Sequence, residues 1–149
     1  MKSDHLLHPG LLEAVAAAGH GDVIVIADAG LRVPRDRPVI HLGLTRGIPT
    51  VEQVVTALQP ELVVESACVA VEFGEWNPGV RAGVVAALGR EPEERPHAEL
   101  MADMAERAIL YVKTGECSAF ASVALTCGVS YFDEAVSLHQ RLQAEDTAG

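Results

Sequence analysis

Four consecutive β-branched residues, Val23 to Ile26, stand between two polar turns in the segment GHGDVIVIADAG, Gly19 to Gly30. A run of this kind has no polar face, so a strand built from it must be covered on both sides. That is the setting of a central strand in a sheet flanked by helices. A strand over residues 23 to 27 has no structural need for the histidine before it or the carboxylate after it. His20 and Asp28 are therefore the first candidates for chemistry. The glycines do not form a dinucleotide fingerprint, which places them after the strand and opens a helix at once. Here the first glycines precede the strand, and the later turn runs into Leu31, Arg32, Val33 and Pro34.

The remaining chain supplies the partners such a strand needs. Leu11, Leu12, Val15 and Ala18 share a helix face that Pro9 opens and Gly19 closes, which sets His20 just past a helix C-terminus. Residues 32 to 38 read as a loop and Val39 to Leu42 as a second strand carrying His41. Thr50 and Gln53 form a capping box before the stripe Val51, Val54, Val55 and Leu58. The run LVVESACVAVEF predicts a strand with Glu65 and Glu72 near its ends. Asn77 and Pro78 open a helix that ends at Gly89. Residues 90 to 96 read as a polar loop, His97 to Ala108 as a helix, and 109 to 113 and 122 to 130 as closing strands around the turn TGECSAF. Strands alternating with helices, without repeats or a long linker, predict an α/β fold. The expected domain covers residues 1 to 132, and residues 133 to 149 are expected to be a solvated helix or a frayed tail.

Composition narrows the function classes. A chain of 149 residues fits one domain with a real core, and with 49% apolar but only 4% aromatic residues that core is mostly Ala, Val and Leu. A formal charge of −10 argues against a surface built for nucleic acid or anionic lipid. No apolar run approaches the ~20 residues of a membrane span, and MKSDHLLHPG has too short an apolar stretch for a signal peptide. Cys68, Cys117 and Cys127 are odd in number and lack CxxC spacing, which predicts free thiols in a reducing, cytoplasmic setting. Cys117 has no basic partner near it in sequence and reads as a packing residue, not a nucleophile.

Six histidines are spread through the chain without metal-helix spacing, and no metal is expected. His5 and His8 lie near the terminus, His139 on the tail, and His41 within a strand where packing is the ordinary role. His20 differs because a glycine-flanked turn presents its side chain. Asp28 ends a buried strand, where open α/β sheets place ligand groups.

With GHGDVIVIADAG, then GLTRGIP, VESACVAVEFGEWNP and TGEC before an apolar strand, the chain resembles the RbsD/FucU family of sugar mutarotases. The resemblance covers about Leu6 to Phe132 and keeps the spacing GH-x-D-x(5)-D-A-G; LT-x-G-x-P and ECS lean toward its ribose pyranase branch. It implies an RbsD-like, three-layer domain with a mostly parallel sheet flanked by helices. It also implies cofactor-free interconversion of cyclic forms of a free aldose, for D-ribose between pyranose and furanose. One group takes the anomeric proton and another protonates the ring oxygen, a task suited to a histidine. His20 matches the family's acid/base histidine, Asp28 a sugar-contacting carboxylate, and His97 a further sugar-contacting histidine. The segment from His97 to TGEC is one residue longer than usual.

The departures bear on substrate. Phe120 and Ser122 stand where a tyrosine and an asparagine are usual, which keeps a stacking surface but removes polar contacts worth about 1 kcal/mol each or more. Gly21 replaces a threonine beside His20, which loosens that turn, and His41 stands where a small acidic residue is common. Alternatives are a mutarotase for another sugar such as L-fucose, or a sugar-binding homo-oligomer that no longer catalyses. Finally, a straight strand separates His20 from Asp28 by roughly 16 Å at ~3.3 Å per residue. Either the chain bends back, or the two residues serve different copies of the site. The resemblance implies the second, with sites between subunits of a ring-like homo-oligomer.

Overall fold

The computed structural model describes residues 1–148; Gly149, the last residue of the expected tail, lies outside them. The elements in chain order are α1 (Pro9–Ala17), β1 (Val23–Ala27), β2 (Val39–His41), α2 (Val51–Leu58), β3 (Val64–Ala70), α3 (Val71–Trp76), α4 (Pro78–Leu88), β4 (Glu93–Arg95), α5 (His97–Arg107), β5 (Ala108–Lys113), β6 (Val123–Cys127) and α6 (Phe132–Ala148). Six strands form one sheet in the order β2-β5-β1-β6-β3-β4. β6 runs against its neighbours β1 and β3, and the other pairings are parallel. The mostly parallel α/β sheet expected from the sequence is present.

All five residues of β1 are buried, and alternate ones enter opposite cores. Ile24 and Ile26 pack with Leu11, Val54, Val55, Leu58 and Val84, the inward faces of α1, α2 and α4. Val23, Val25 and Ala27 pack with Leu31, Leu100 and Met104, on the side covered by α5. Helices therefore cover both faces, which makes three layers. The capping box of α2 forms in both directions, Gln53 N–H donating to Thr50 Oγ1 at 3.1 Å and Thr50 N–H to Gln53 Oε1 at 2.9 Å.

Several expectations are corrected. The segment 62 to 73 is not one strand: β3 stops at Ala70 and the chain turns into α3, which buries Phe73 completely. Glu72 consequently leaves the sheet, and its carboxylate accepts the His97 N–H at 2.9 Å, at the start of an α5 that has no side-chain cap from its own flank. The expected loop 90 to 96 contains β4, a fully exposed edge strand of charged residues paired with β3. Asn77 does not cap α4; its amide donates to the Ala119 carbonyl at 2.8 Å. α1 ends one residue early, Ala18 being already extended. The last strand is shorter than expected, with Ser122 and residues 128 to 130 outside it. In the segment between His97 and TGEC, β5 carries a bulge against β1: Val23 faces Ala108 but Ile24 faces Leu110, skipping Ile109.

No part of α6 is buried, so the 17-residue helix lies on the surface with Phe132, Val136, Leu138 and Leu142 open to solvent. Among the described residues no helix is long and apolar enough to cross a membrane. The three cysteines are unpaired. Burial, with a smaller push from Asp22, raises the Cys127 thiol to about 11, so it is a packing residue and not a thiolate.

Candidate active site

Asp28 follows β1 directly, and the strand end fixes it. Its N–H donates to Ser122 Oγ at 2.9 Å, Ser122 Oγ–H donates back to its Oδ2 at 2.6 Å, and its Oδ1 accepts the Gly30 N–H at 3.0 Å. These bonds hold the carboxylate in one orientation while leaving acceptor capacity on both oxygens. It faces a cavity of about 600 Å³ whose wall includes Arg32, His97, Met101, Tyr111 and Phe120.

Phe120 reaches this cavity at a backbone cost. Its φ of 62° lies in the left-handed region that a bulky residue rarely adopts. The turn is held by Asn77 on Ala119 and by the Ser122 N–H donating to the Phe120 carbonyl at 2.9 Å. In that position the Phe120 ring meets His97 edge-on, with centroids 4.9 Å apart, and Trp76 likewise at 5.5 Å. His97 is placed at the first turn of α5, where Glu72 holds its backbone N–H. Asp28, His97 and Phe120 thus share one cavity. Ser122 is only 4% exposed and does not line that cavity; it touches Asp28 instead.

His20 is elsewhere. It stands at the opposite end of β1, on a separate hollow of about 350 Å³ lined also by Glu65, Arg90, Val129 and Phe132. Its Nδ1 lies 3.1 Å from Glu65 Oε2, and its ring stacks on Phe132 with centroids 6.1 Å apart and 25° between planes. Glu65 thus sets a carboxylate directly beside the imidazole. The ring is half exposed. β1 pairs with β6 in continuous register from Val23 to Ile26, so the chain does not bend back. One chain therefore keeps His20 and Asp28 at opposite edges of the sheet.

Sequence reasoning did not single out Tyr111, Arg32, Met101 or Trp76. Tyr111 is buried in the β5 face toward the cavity, and burial, with a smaller opposing pull from Arg37, raises its phenol, which is neutral at physiological pH. The inward alternation of β5 could have found it; the exposed Trp76 carried no such signal. Among the described residues no three His, Cys, Asp or Glu side chains are grouped to hold a metal ion.

A half-buried carboxylate, an imidazole and an aromatic ring thus line one cavity beside the end of β1 in a three-layer domain, where open α/β sheets place ligands. The chain belongs to the RbsD / FucU transport protein family, whose sequence model matches residues 1–130. It is 42% identical over 131 residues to the D-ribose pyranase of Symbiobacterium thermophilum and 40% to that of Corynebacterium glutamicum, in each case covering 88% of this chain and the whole relative. Among solved structures it is similar to Bacillus subtilis RbsD complexed with D-ribose, with a TM-score of 0.80 and 32% identity over 87% of this chain and 98% of that one.

Proposed function

We propose that this chain is a cofactor-free isomerase that interconverts the pyranose and furanose forms of free D-ribose, working in the cytoplasm as a homo-oligomer. The observation that carries the reading is the convergence of Asp28, His97 and Phe120 on one cavity in a chain so similar to named D-ribose pyranases. Phe120 offers a flat apolar face for the C–H side of a sugar ring, and the Asp28 carboxylate accepts hydrogen bonds from its hydroxyls. His97 adds a polar group at the rim.

The reaction opens one hemiacetal and closes another through the open-chain aldehyde. A base removes the anomeric hydroxyl proton as the ring C–O bond breaks, and an acid protonates the departing ring oxygen; closure from another hydroxyl reverses the roles. His20 suits this exchange, because an imidazole can both take and return a proton and this one is half exposed with the Glu65 carboxylate beside it. Since His20 and Asp28 stand at opposite edges of one chain, His20 reaches the sugar from a neighbouring copy. Ser122, although it replaces a longer residue, acts here through Asp28.

Line-shape and saturation-transfer NMR on equilibrated monosaccharides tests the reading. Ribose is expected to show enhanced exchange between its ring forms, and His20→Ala is expected to abolish the enhancement while the protein stays folded. Enhancement for L-fucose but not ribose would move the substrate assignment. Full activity in His20→Ala, or no enhancement for any sugar despite binding, would overturn the catalytic assignment.

A further inference from the structure

We propose that a second hollow, at the ends of β2 and β5, binds a small oxyanion of the inorganic phosphate class. The hollow measures about 380 Å³ and is lined by His41, Thr45, Arg46, Lys113 and Thr114 among others, with no acidic side chain on its wall. His41 and Lys113 are register partners at the last positions of two parallel strands, so their side chains are held as neighbours. An anion lying there would meet the Lys113 ammonium and the His41 imidazole together. Arg46 adds a third from the following loop.

The charge pattern of the rest of the chain sharpens the point. Acidic residues outnumber Lys and Arg by 21 to 11. Lys2, Arg81, Arg95 and Arg107 each lie against a carboxylate. His41, Arg46 and Lys113 do not, among the described residues. Other basic residues, Arg32 and Arg90 among them, also lack a carboxylate partner, so it is the convergence of His41, Arg46 and Lys113 on one hollow that marks the site. Arginine supplies a planar fork and lysine a compact charge, the combination that suits a tetrahedral oxyanion.

The wall is built before any ligand arrives. Leu42 N–H donates to the Lys113 carbonyl at 2.8 Å, Gly115 N–H to the Pro49 carbonyl at 2.8 Å, and Gly47 N–H to the Gly115 carbonyl at 2.6 Å. These bonds clamp the backbone of the loop that carries Arg46 onto the end of β5, so binding need order only side chains. The ends of parallel strands are also where open α/β sheets place ligands. The site supplies a reason for His41: a small carboxylate there would neutralise Lys113, whereas an imidazole leaves the charge available. It shares no wall residue with the cavity of Asp28 and Phe120, although a third hollow, lined by Asp28, Ala29 and Arg46, adjoins both.

Calorimetric titration of the full chain with sodium phosphate at low ionic strength tests this, with sodium chloride at matched ionic strength as the control. The expected result is saturable binding at one site per chain, displaced by sulfate. Arg46→Ala and Lys113→Met are each expected to weaken it about tenfold or more. His41→Asp is expected to abolish it, with melting curves showing each variant folded. Absence of saturable binding up to about 10 mM phosphate, a millimolar limit for a useful site, overturns the proposal. Equal displacement by chloride, or binding that the variants leave unchanged, does the same. No binding together with a smaller oligomer in Arg46→Ala assigns the hollow to a carboxylate of a second copy and also overturns it.

Discussion

At position 122 the hydroxyl that the sequence offered to a sugar is already engaged. Ser122 accepts the Asp28 N–H and donates to the Asp28 carboxylate, and it is buried while doing so. Ser122→Ala leaves both groups of Asp28 without that partner and is expected to cost about 1–3 kcal/mol of stability, read as a lower urea midpoint. Because the carboxylate loses its fixed orientation, KM for ribose is expected to rise more than kcat falls. A variant with unchanged stability and KM would contradict this role. Gly115 makes a different residue-scale point: a Cβ there would meet the Ile48 and Thr45 carbonyl oxygens at 2.5 Å. Gly115→Ala is expected to destabilise the chain by about 1–3 kcal/mol, since both obstacles are backbone. Cys127 sets a pH dependence. Its folded value, about 11, exceeds the ordinary 9.0, so the unfolded thiol ionises first as pH rises. Stability is then retained below pH 9 and lost progressively up to about 11. Cys127→Ala is expected to flatten that part of the stability profile, measured by urea unfolding, and an unchanged slope would contradict the assignment.

At the scale of elements, what the sequence made legible was whatever an amphipathic or β-branched pattern writes locally. β1, α2 with its capping box, and the inward face of α5 come directly from such patterns. The breaks come from tertiary demands. β-rich sequence at Val71 to Phe73 becomes helix because Phe73 fills the core and Glu72 is drawn to α5. β4 has no apolar residue to announce it, and exists because its backbone completes β3. Of the candidate site, Asp28, His97 and Phe120 were visible as residues, but their meeting in one cavity depends on sheet order, which no local pattern encodes. Glu65 and Phe132 became visible only when the fold set them against His20. The link from α3 to α5 is itself testable. Glu72→Ala removes the acceptor at the start of α5 and is expected to cost about 0.5–2 kcal/mol, as loss of an N-cap does. Hydrogen exchange is expected to quicken at the first turn of α5 more than in β1, and uniform protection would show that Glu72 does not hold the helix.

At the scale of the whole molecule, α6 lies beyond the part of the chain that the family model matches. The family match ends at residue 130, and relatives of this chain are covered in full by 131 residues of alignment. No residue of α6 is buried, and its first residue, Phe132, stacks on the half-exposed His20, so a chain ending at Tyr131 is expected to melt close to the full-length protein while losing that stack. A large loss of stability would show that the helix packs on something the single chain does not reveal. The proposed proton-transfer group, His20, and the proposed sugar cavity stand at opposite ends of β1 in one chain. In the proposed function they meet between copies. The most direct test is complementation: chains carrying His20→Ala and chains carrying Asp28→Ala are co-expressed in equal amounts and assayed for ribose ring exchange. Each homo-oligomer alone is expected to be inactive. In the mixture, a site that takes His20 from one copy and Asp28 from another is intact in about a quarter of cases, so about a quarter of wild-type exchange is expected to return. A mixed oligomer that stays inactive would mean that each site is built from a single chain, contrary to the account.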